Sequence, residues 1–193
     1  MTAPSSGGLY LVRREREPAA AGYAERSDDE LMLLARAGQH DAFDALVLRH
    51  QARMLRVAYR FLGDSAAAAD AVQNTFVALL GALGVYRPSG KFRSYIYRVL
   101  QSQCHRVHRR GRLDSRVRSL LPGEPMTADQ LIERERQYEV ERCLSRLPAK
   151  QRSVLLLRYT AELGYQEIAE ALDIPLGTVK NKGGKLIHAW ALA

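Results

Sequence analysis

Cysteine is nearly absent, with two residues, Cys104 and Cys143, in a chain of 193. Two thiols cannot make a disulfide framework, and they fit a reducing compartment. Long apolar runs are missing too, since nothing approaches the roughly 20 residues of a membrane span. A secretory core is also lacking, because Leu9 to Val12 is too short and Arg13 and Arg14 follow it on the wrong side. The expectation is a cytoplasmic protein with no membrane partner. Period-two alternation is nowhere sustained, which leaves no pattern for a sheet. No P-loop, nucleophile elbow or metalloprotease signature occurs, so neither catalytic residues nor cofactors are expected. Asp28, Asp29 and Glu30 read as a helix start and not as an acid–base pair. Cys104, His105 and His108 lie close enough to invite a metal, but no fourth ligand is evident and none is assigned.

Acids are outnumbered as well. There are 21 against 29 lysines and arginines, a net charge of +8 that favours an anionic partner such as nucleic acid. Apolar content is an ordinary 47%, enough to build cores. Residues 1–26 mix Gly, Ser, Ala and charge without periodicity and read as a flexible tail. Helical pattern starts at Ser27, a plausible N-cap before three acids, and Gly38 ends it. A second helix carries Phe43, Leu46, Val47, Met54, Val57, Ala58 and Phe61 at spacings of three and four. After Gly63-Asp64-Ser65 a third presents Val72, Thr75, Phe76, Leu79, Leu80 and Leu83. Residues 84–91, GVYRPSGK, form a loop. A fourth helix from Phe92 offers Phe92, Tyr95, Ile96, Val99 and Leu100 to a core.

Beyond Leu100 the composition changes. An arginine-rich run from Arg106 to Arg118 is opposed only by Asp114, and could be a solubilising stretch or a phosphate-tracking one. Pro122, Gly123 and Pro125 then forbid helix. Thr127 and Gln130 have the spacing of a capping box that restarts it, and Val140, Cys143, Leu144 and Leu147 share a face. Pro148 begins a helix containing Val154 to Leu157. Residues 165–185, YQEIAEALDIPLGTVKNKGGK, then read as two short helices around a tight turn at Asp173 to Gly177. Ile168, Ala169, Leu172 and Val179 face inward. Thr178, Lys180, Asn181, Lys182 and Lys185 are left to meet phosphates and base edges in a DNA groove.

The expected fold class is all-α, with two small helical domains. A tail (1–26) precedes an N-terminal helical bundle (27–111), a flexible linker (112–127) and a C-terminal helix-turn-helix domain (128–193). The fourth helix and the loop before it interleave rings and cations at Tyr86, Arg87, Lys91, Arg93, Tyr97, Arg98 and Gln101. That mixture suits single-stranded DNA, where rings stack on unpaired bases and cations follow the backbone. Phe92 and Tyr95 also match the apolar stripe, so Tyr97, Arg93 and Arg98 are the better candidates.

The succession DDELMLLARAGQHDAFDALVLRH, GDSAAAADAVQNTFVALL, KFRSYIYRVL and LSRLPAKQRSVLLLRYTAELGYQEIAEALDIPLGTVK resembles an extracytoplasmic-function sigma factor. These are compact two-domain specificity subunits of bacterial RNA polymerase, and the likeness spans about residues 28–182. It implies that Asp70, Gln73, Asn74 and Phe76 belong to a helix docking on the clamp coiled coil of the polymerase largest subunit. It implies that Tyr86 to Gln101 captures flipped bases of the minus-ten promoter element. The C-terminal domain would read the minus-thirty-five duplex, and the linker would pass toward the RNA exit path near the polymerase flap. An anti-sigma factor is a possible further partner. The family's Glu-Asp and Gln-Glu pairs here read Ala69-Asp70 and Gln73-Asn74. Gly183 and Gly184 are expected to fray the recognition helix, since each costs about 1 kcal/mol against Ala inside a helix. The alternative is a non-sigma helix-turn-helix regulator that binds duplex operators alone, which would have no use for the clamp-like and aromatic-basic helices. A recombinase or nuclease would need a catalytic cluster that the chain lacks.

Overall fold

The computed structural model describes residues 22–114, 142, 144 and 146–181, with backbone alone for 110–114. Six helices have both ends in this set: α1 (Asp28–Arg36), α2 (His40–Leu62), α3 (Ser65–Ala82), α4 (Phe92–Asp114), α5 (Ala149–Tyr159) and α6 (Tyr165–Leu172). A further helical stretch, α7, covers 176–181. The described residues contain no strand, and the fold is all-α as expected. None of their helices is long and apolar enough to cross a membrane.

Local chemistry explains most boundaries. Ser27 caps α1 in a full capping box. Its hydroxyl accepts the Glu30 N–H, and the Glu30 carboxylate accepts the Ser27 N–H at 2.8 Å. The α2 helix ends at Gly63, whose φ of +70° is the left-handed geometry that glycine adopts at little cost. Asp64 then caps α3 by accepting the Ala67 N–H at 2.7 Å. Gly164 has no side chain to cap α6, and Glu167 instead reaches back to accept its N–H at 2.7 Å. Asp173 ends α6 with a φ of +51°, a conformation tolerated by its short polar side chain.

Of the expected flexible tail (1–26), residues 22–26 are described. Residues 22–26 form a turn because Arg49 gathers it, donating to the carbonyls of Tyr23, Ala24 and Arg26 within 3.1 Å. The α4 helix also runs three residues into the expected linker, to Asp114. The rest of that linker, residues 115–127, lies outside the described residues. So do the expected capping box at Thr127 and the apolar positions Val140 and Cys143.

The core of the first half is made by α1 to α4, with Leu31, Met32, Leu46, Met54, Val57, Leu79, Ile96 and Leu100 all fully buried. The same core continues into the second half through Leu144, Val154, Leu157, Leu163, Ile168 and Val179. The two halves are not apart. The α4 helix packs along α6, and α2 packs against α5.

Candidate polymerase and nucleic-acid interfaces

Three surfaces carry the residues singled out by the sequence. The first is the outer face of α3. Asp70, Gln73 and Asn74 are exposed there on one side of the helix. Phe76 is not. It is buried edge-on against Phe43, with ring centroids 6.3 Å apart, so it supports the helix from inside. Two residues complete the outer stripe instead: Val77, 57% exposed, and Leu80, 48% exposed. Positions 70, 73, 74, 77 and 80 follow the i, i+3, i+4, i+7 spacing of a single helical face. Leu80 was expected in the core. The α3 helix is apolar nearly all round, so its stripe could not be divided by hydrophobicity alone. An alternation of polar residues with apolar ones on the face opposite Val72, Thr75 and Leu79 was the usable signal.

The second surface joins the 84–91 loop to α4. Asp29, at the start of α1, organises the loop by accepting the Tyr86 hydroxyl and the backbone N–H groups of Ser89 and Gly90. Gly90 takes a φ of +70°, which lets the chain turn its amide onto that carboxylate. Arg36 holds the Tyr86 carbonyl from the other side at 3.3 Å. Tyr86 is thereby buried, its ring against Phe92 and Tyr95, and burial and Asp29 together push its phenol well above the usual value. Val85, 80% exposed, and Arg87 form the outward tip. Sequence patterning had read Asp29 only as a helix-start acid. Its reach over some sixty residues to the loop left no local signal.

Along α4 the structure reverses the division between the two tyrosines. Tyr97 is 1% exposed, and burial pushes its phenol up to about 12, while Tyr95 is half-buried. Gln101 is buried too, accepting the Ser153 hydroxyl at 3.1 Å. The helix leaves Phe92, Ile96, Leu100 and Cys104 to the core, and the 3.6-residue repeat carries Tyr97 and Gln101 to its edge, where α2 and the C-terminal half close over them. Arg98 and Lys91 are exposed and Arg93 is half-exposed, and all three meet the C-terminal half. Cys104 is buried in apolar surroundings that push its thiol up to about 12, and His105 packs edge-on against Phe61. No three metal-ligating side chains converge among the described residues.

The third surface is the α6–α7 hairpin. Val179 is buried, Lys180 and Asn181 are exposed, and Thr178 is half-exposed, the arrangement expected of a groove-reading helix. Lys182, Gly183, Gly184 and Lys185 lie outside the described residues.

Comparison with known proteins identifies these parts. Residues 46–113 match the model of Sigma-70 region 2, and residues 137–182 match that of Sigma-70 region 4. Together they cover more than half of the chain, in the order expected. This chain belongs to the sigma-70 family. It is similar to the RNA polymerase sigma-H factor of Pseudomonas aeruginosa, at 29% identity over 82% of this chain and 89% of that one. It is equally similar, at 29% identity over 83% of this chain and 81% of the other, to the ECF RNA polymerase sigma factor SigM of Mycobacterium tuberculosis. The solved structure of CnrH in complex with the cytosolic domain of CnrY matches with a TM-score of 0.65 at 24% identity. That match covers 82% of this chain and 90% of CnrH, and it speaks for the fold. The chain is thus an extracytoplasmic-function sigma factor, a promoter-recognising partner of RNA polymerase, and the reading as an unaided operator-binding regulator is not favoured. Both α2–α4 and α5–α7 are sigma segments, one from each region.

Proposed function

We propose that this sigma factor docks on the clamp coiled coil of the polymerase largest subunit through the outer stripe of α3. The observation that carries this is the exposed row Asp70, Gln73, Asn74, Val77 and Leu80. It offers polar anchors at one end and unpartnered apolar side chains at the other. A helical partner can bury Val77 and Leu80 while pairing with Asp70, and that combination gives an interface both area and register. The absence of Glu at Ala69 and Asn74 shifts the weight of this contact from charge toward apolar burial.

The 84–91 loop, with Val85 and Arg87 at its tip, and the cations Lys91, Arg93 and Arg98 take the melted minus-ten strand. The α7 stretch, with Thr178, Lys180 and Asn181 and continuing to Lys182 and Lys185, reads the minus-thirty-five duplex. Polymerase supplies the chemistry of RNA synthesis, and this chain supplies binding and orientation in the cytoplasm, without catalytic residues of its own. The flap is the second polymerase contact, made by the C-terminal half. An anti-sigma factor is a further partner, consistent with the structural neighbour having been solved with the cytosolic domain of a second protein.

Run-off transcription with purified core polymerase on a genomic promoter library tests the whole reading. Addition of this chain should create defined start sites. Absence of both polymerase association and start-site selection would sink it.

A further inference from the structure

His50, in the middle of α2, belongs neither to the docking stripe nor to the DNA-facing cations. It is 8% exposed and touches two other elements at once. Its Nε2 lies 2.9 Å from the Asp28 carboxylate at the start of α1. Its ring is tilted against that of Phe92, the first residue of α4, with centroids 5.5 Å apart.

Each of those contacts leads by a short path to the 84–91 loop. Asp28 is followed in the same helical turn by Asp29, whose carboxylate accepts the Tyr86 hydroxyl and the Ser89 and Gly90 amides. Phe92 meets the Tyr86 ring edge-on, with centroids 6.2 Å apart. Both paths end on the same side chain. His50, Asp28, Asp29, Tyr86 and Phe92 therefore close a circuit, with hydrogen bonds on one side and ring contacts on the other.

We infer that His50 is a positioning residue for capture of the melted strand, closing a circuit that fixes the 84–91 loop against α1 and α4. The inference rests on the proposed role of that loop, and adds a residue of α2 through which its geometry is set.

The chemistry of the pair suits a fixed strut. Burial would raise the Asp28 carboxyl, but His50 and Arg49 outweigh it and keep the group ionised at neutral pH. An ionised carboxylate only accepts, so the proton of the shared bond sits on the His50 Nε2. Arg49 donates to the other Asp28 oxygen at 2.6 Å, which leaves the carboxylate little freedom to turn. Hydrogen bonds to a charged group are among the stronger kinds. Ring contacts on the opposite side are directional as well, since aromatic pairs favour tilted and edge-on arrangements. A displaced His50 would loosen the loop at Tyr86 and at Phe92 together, and with it the tip that carries Val85 and Arg87.

A histidine that only filled the core would contribute its own increment of stability, independent of Tyr86. In a circuit the two are interdependent, because loss of either edge frees the loop and leaves the other edge little to hold.

The test is a double-mutant cycle in the full chain. His50→Phe keeps a ring against Phe92 and removes the donor to Asp28. Tyr86→Phe keeps its ring and removes the hydroxyl on Asp29. Hydrogen exchange at the Ser89 and Gly90 amides reads how firmly the loop is held. Each single variant should speed that exchange about tenfold, and the pair should go no more than about threefold beyond the faster single. Val57→Ala, at a fully buried α2 position outside the circuit, should leave these amides close to wild type. Effects that multiply, to about a hundredfold in the pair, would overturn the circuit. So would exchange that His50→Phe leaves unmoved. If His50→Phe does not fold, His50→Gln enters the same cycle, keeping a donor and losing the ring contact, and the same outcomes decide.

Strand capture is read in holoenzyme assembled from core polymerase and each variant, on a promoter selected by the run-off screen. At equal polymerase occupancy, His50→Phe should lower permanganate reactivity of unpaired thymines about tenfold relative to Val57→Ala. Reactivity equal to that of Val57→Ala, despite faster loop exchange, would overturn the positioning role. Wild type that directs no initiation would sink the sigma reading and the role in capture with it, while amide exchange still decides the circuit.

Discussion

Single acids at the start of α1 do more than begin a helix. Asp28 accepts from Arg49 at 2.6 Å and lies 2.9 Å from the His50 ring nitrogen, tying the first helix to the middle of α2. Burial would raise its carboxyl, but the hydrogen bonds and charges of His50 and Arg49 outweigh burial and hold it below the ordinary 3.8. A depressed carboxyl binds fewer protons folded than unfolded, so its contribution is present above the unfolded value and lost as pH falls through the folded one. Urea midpoints taken between about pH 5 and about pH 2 should therefore fall less steeply for Asp28→Asn than for wild type. Equal slopes would remove Asp28 from the acid transition. Its neighbour Asp29 acts at a distance instead. Asp29→Ala should speed hydrogen exchange at the Ser89 and Gly90 amides by tenfold or more, for a loss of about 1–2 kcal/mol of local stability. Promoter opening, read by permanganate reactivity of unpaired thymines, should fall while core-polymerase binding holds. Unchanged amide exchange would mean the loop keeps its shape without that carboxylate.

Whole elements were legible where two signals coincided. Ser27, Gly63 with Asp64, and Pro148 each combined a terminus residue with a change of apolar phase, and the observed helices begin or end beside them. The 84–91 loop was marked by its glycines and proline. Legibility failed where a helix is apolar on more than one face, because periodicity then reports burial without saying what does the burying. Leu80 and Phe76 exchanged roles in this way on α3, as Tyr97 and Tyr95 did on α4. The contact of Glu167 and Glu170 on α6 with Arg93 and Lys91 was invisible for another reason. Its acids look like an ordinary solvated face until α4 is placed opposite, and that pairing spans some seventy residues. The α3 stripe makes a direct test at this scale. Leu80 is half-exposed, so Leu80→Glu should leave the thermal midpoint nearly unchanged, a cost within about 0.5 kcal/mol. It should weaken binding to core polymerase at least tenfold, because a carboxylate would replace an apolar contact at the core of the interface. Retained affinity would move the docking surface off this face. An unfolded variant would show instead that Leu80 belongs to the core.

At the scale of the molecule the two DNA-facing surfaces are treated unequally. Lys91 and Arg93 pair with Glu170 and Glu167 of the C-terminal half, whereas Lys180 and Asn181 are exposed. The proposed duplex-reading residues Lys180 and Asn181 are therefore accessible whatever the state of the α4–α6 contact. Duplex affinity should then be indifferent to that contact. Lys180 gives the quantitative test, because each neutralised phosphate contributes about −0.9 to the slope of log affinity against log salt on duplex DNA. Lys180→Ala should weaken duplex binding and make that slope shallower by about one, in wild type and in the Glu162→Gln, Glu170→Gln background alike. A slope that Lys180→Ala leaves untouched takes this lysine out of the duplex interface. A slope change seen only in the Glu162→Gln, Glu170→Gln background would mean that the α4–α6 contact hinders access to Lys180.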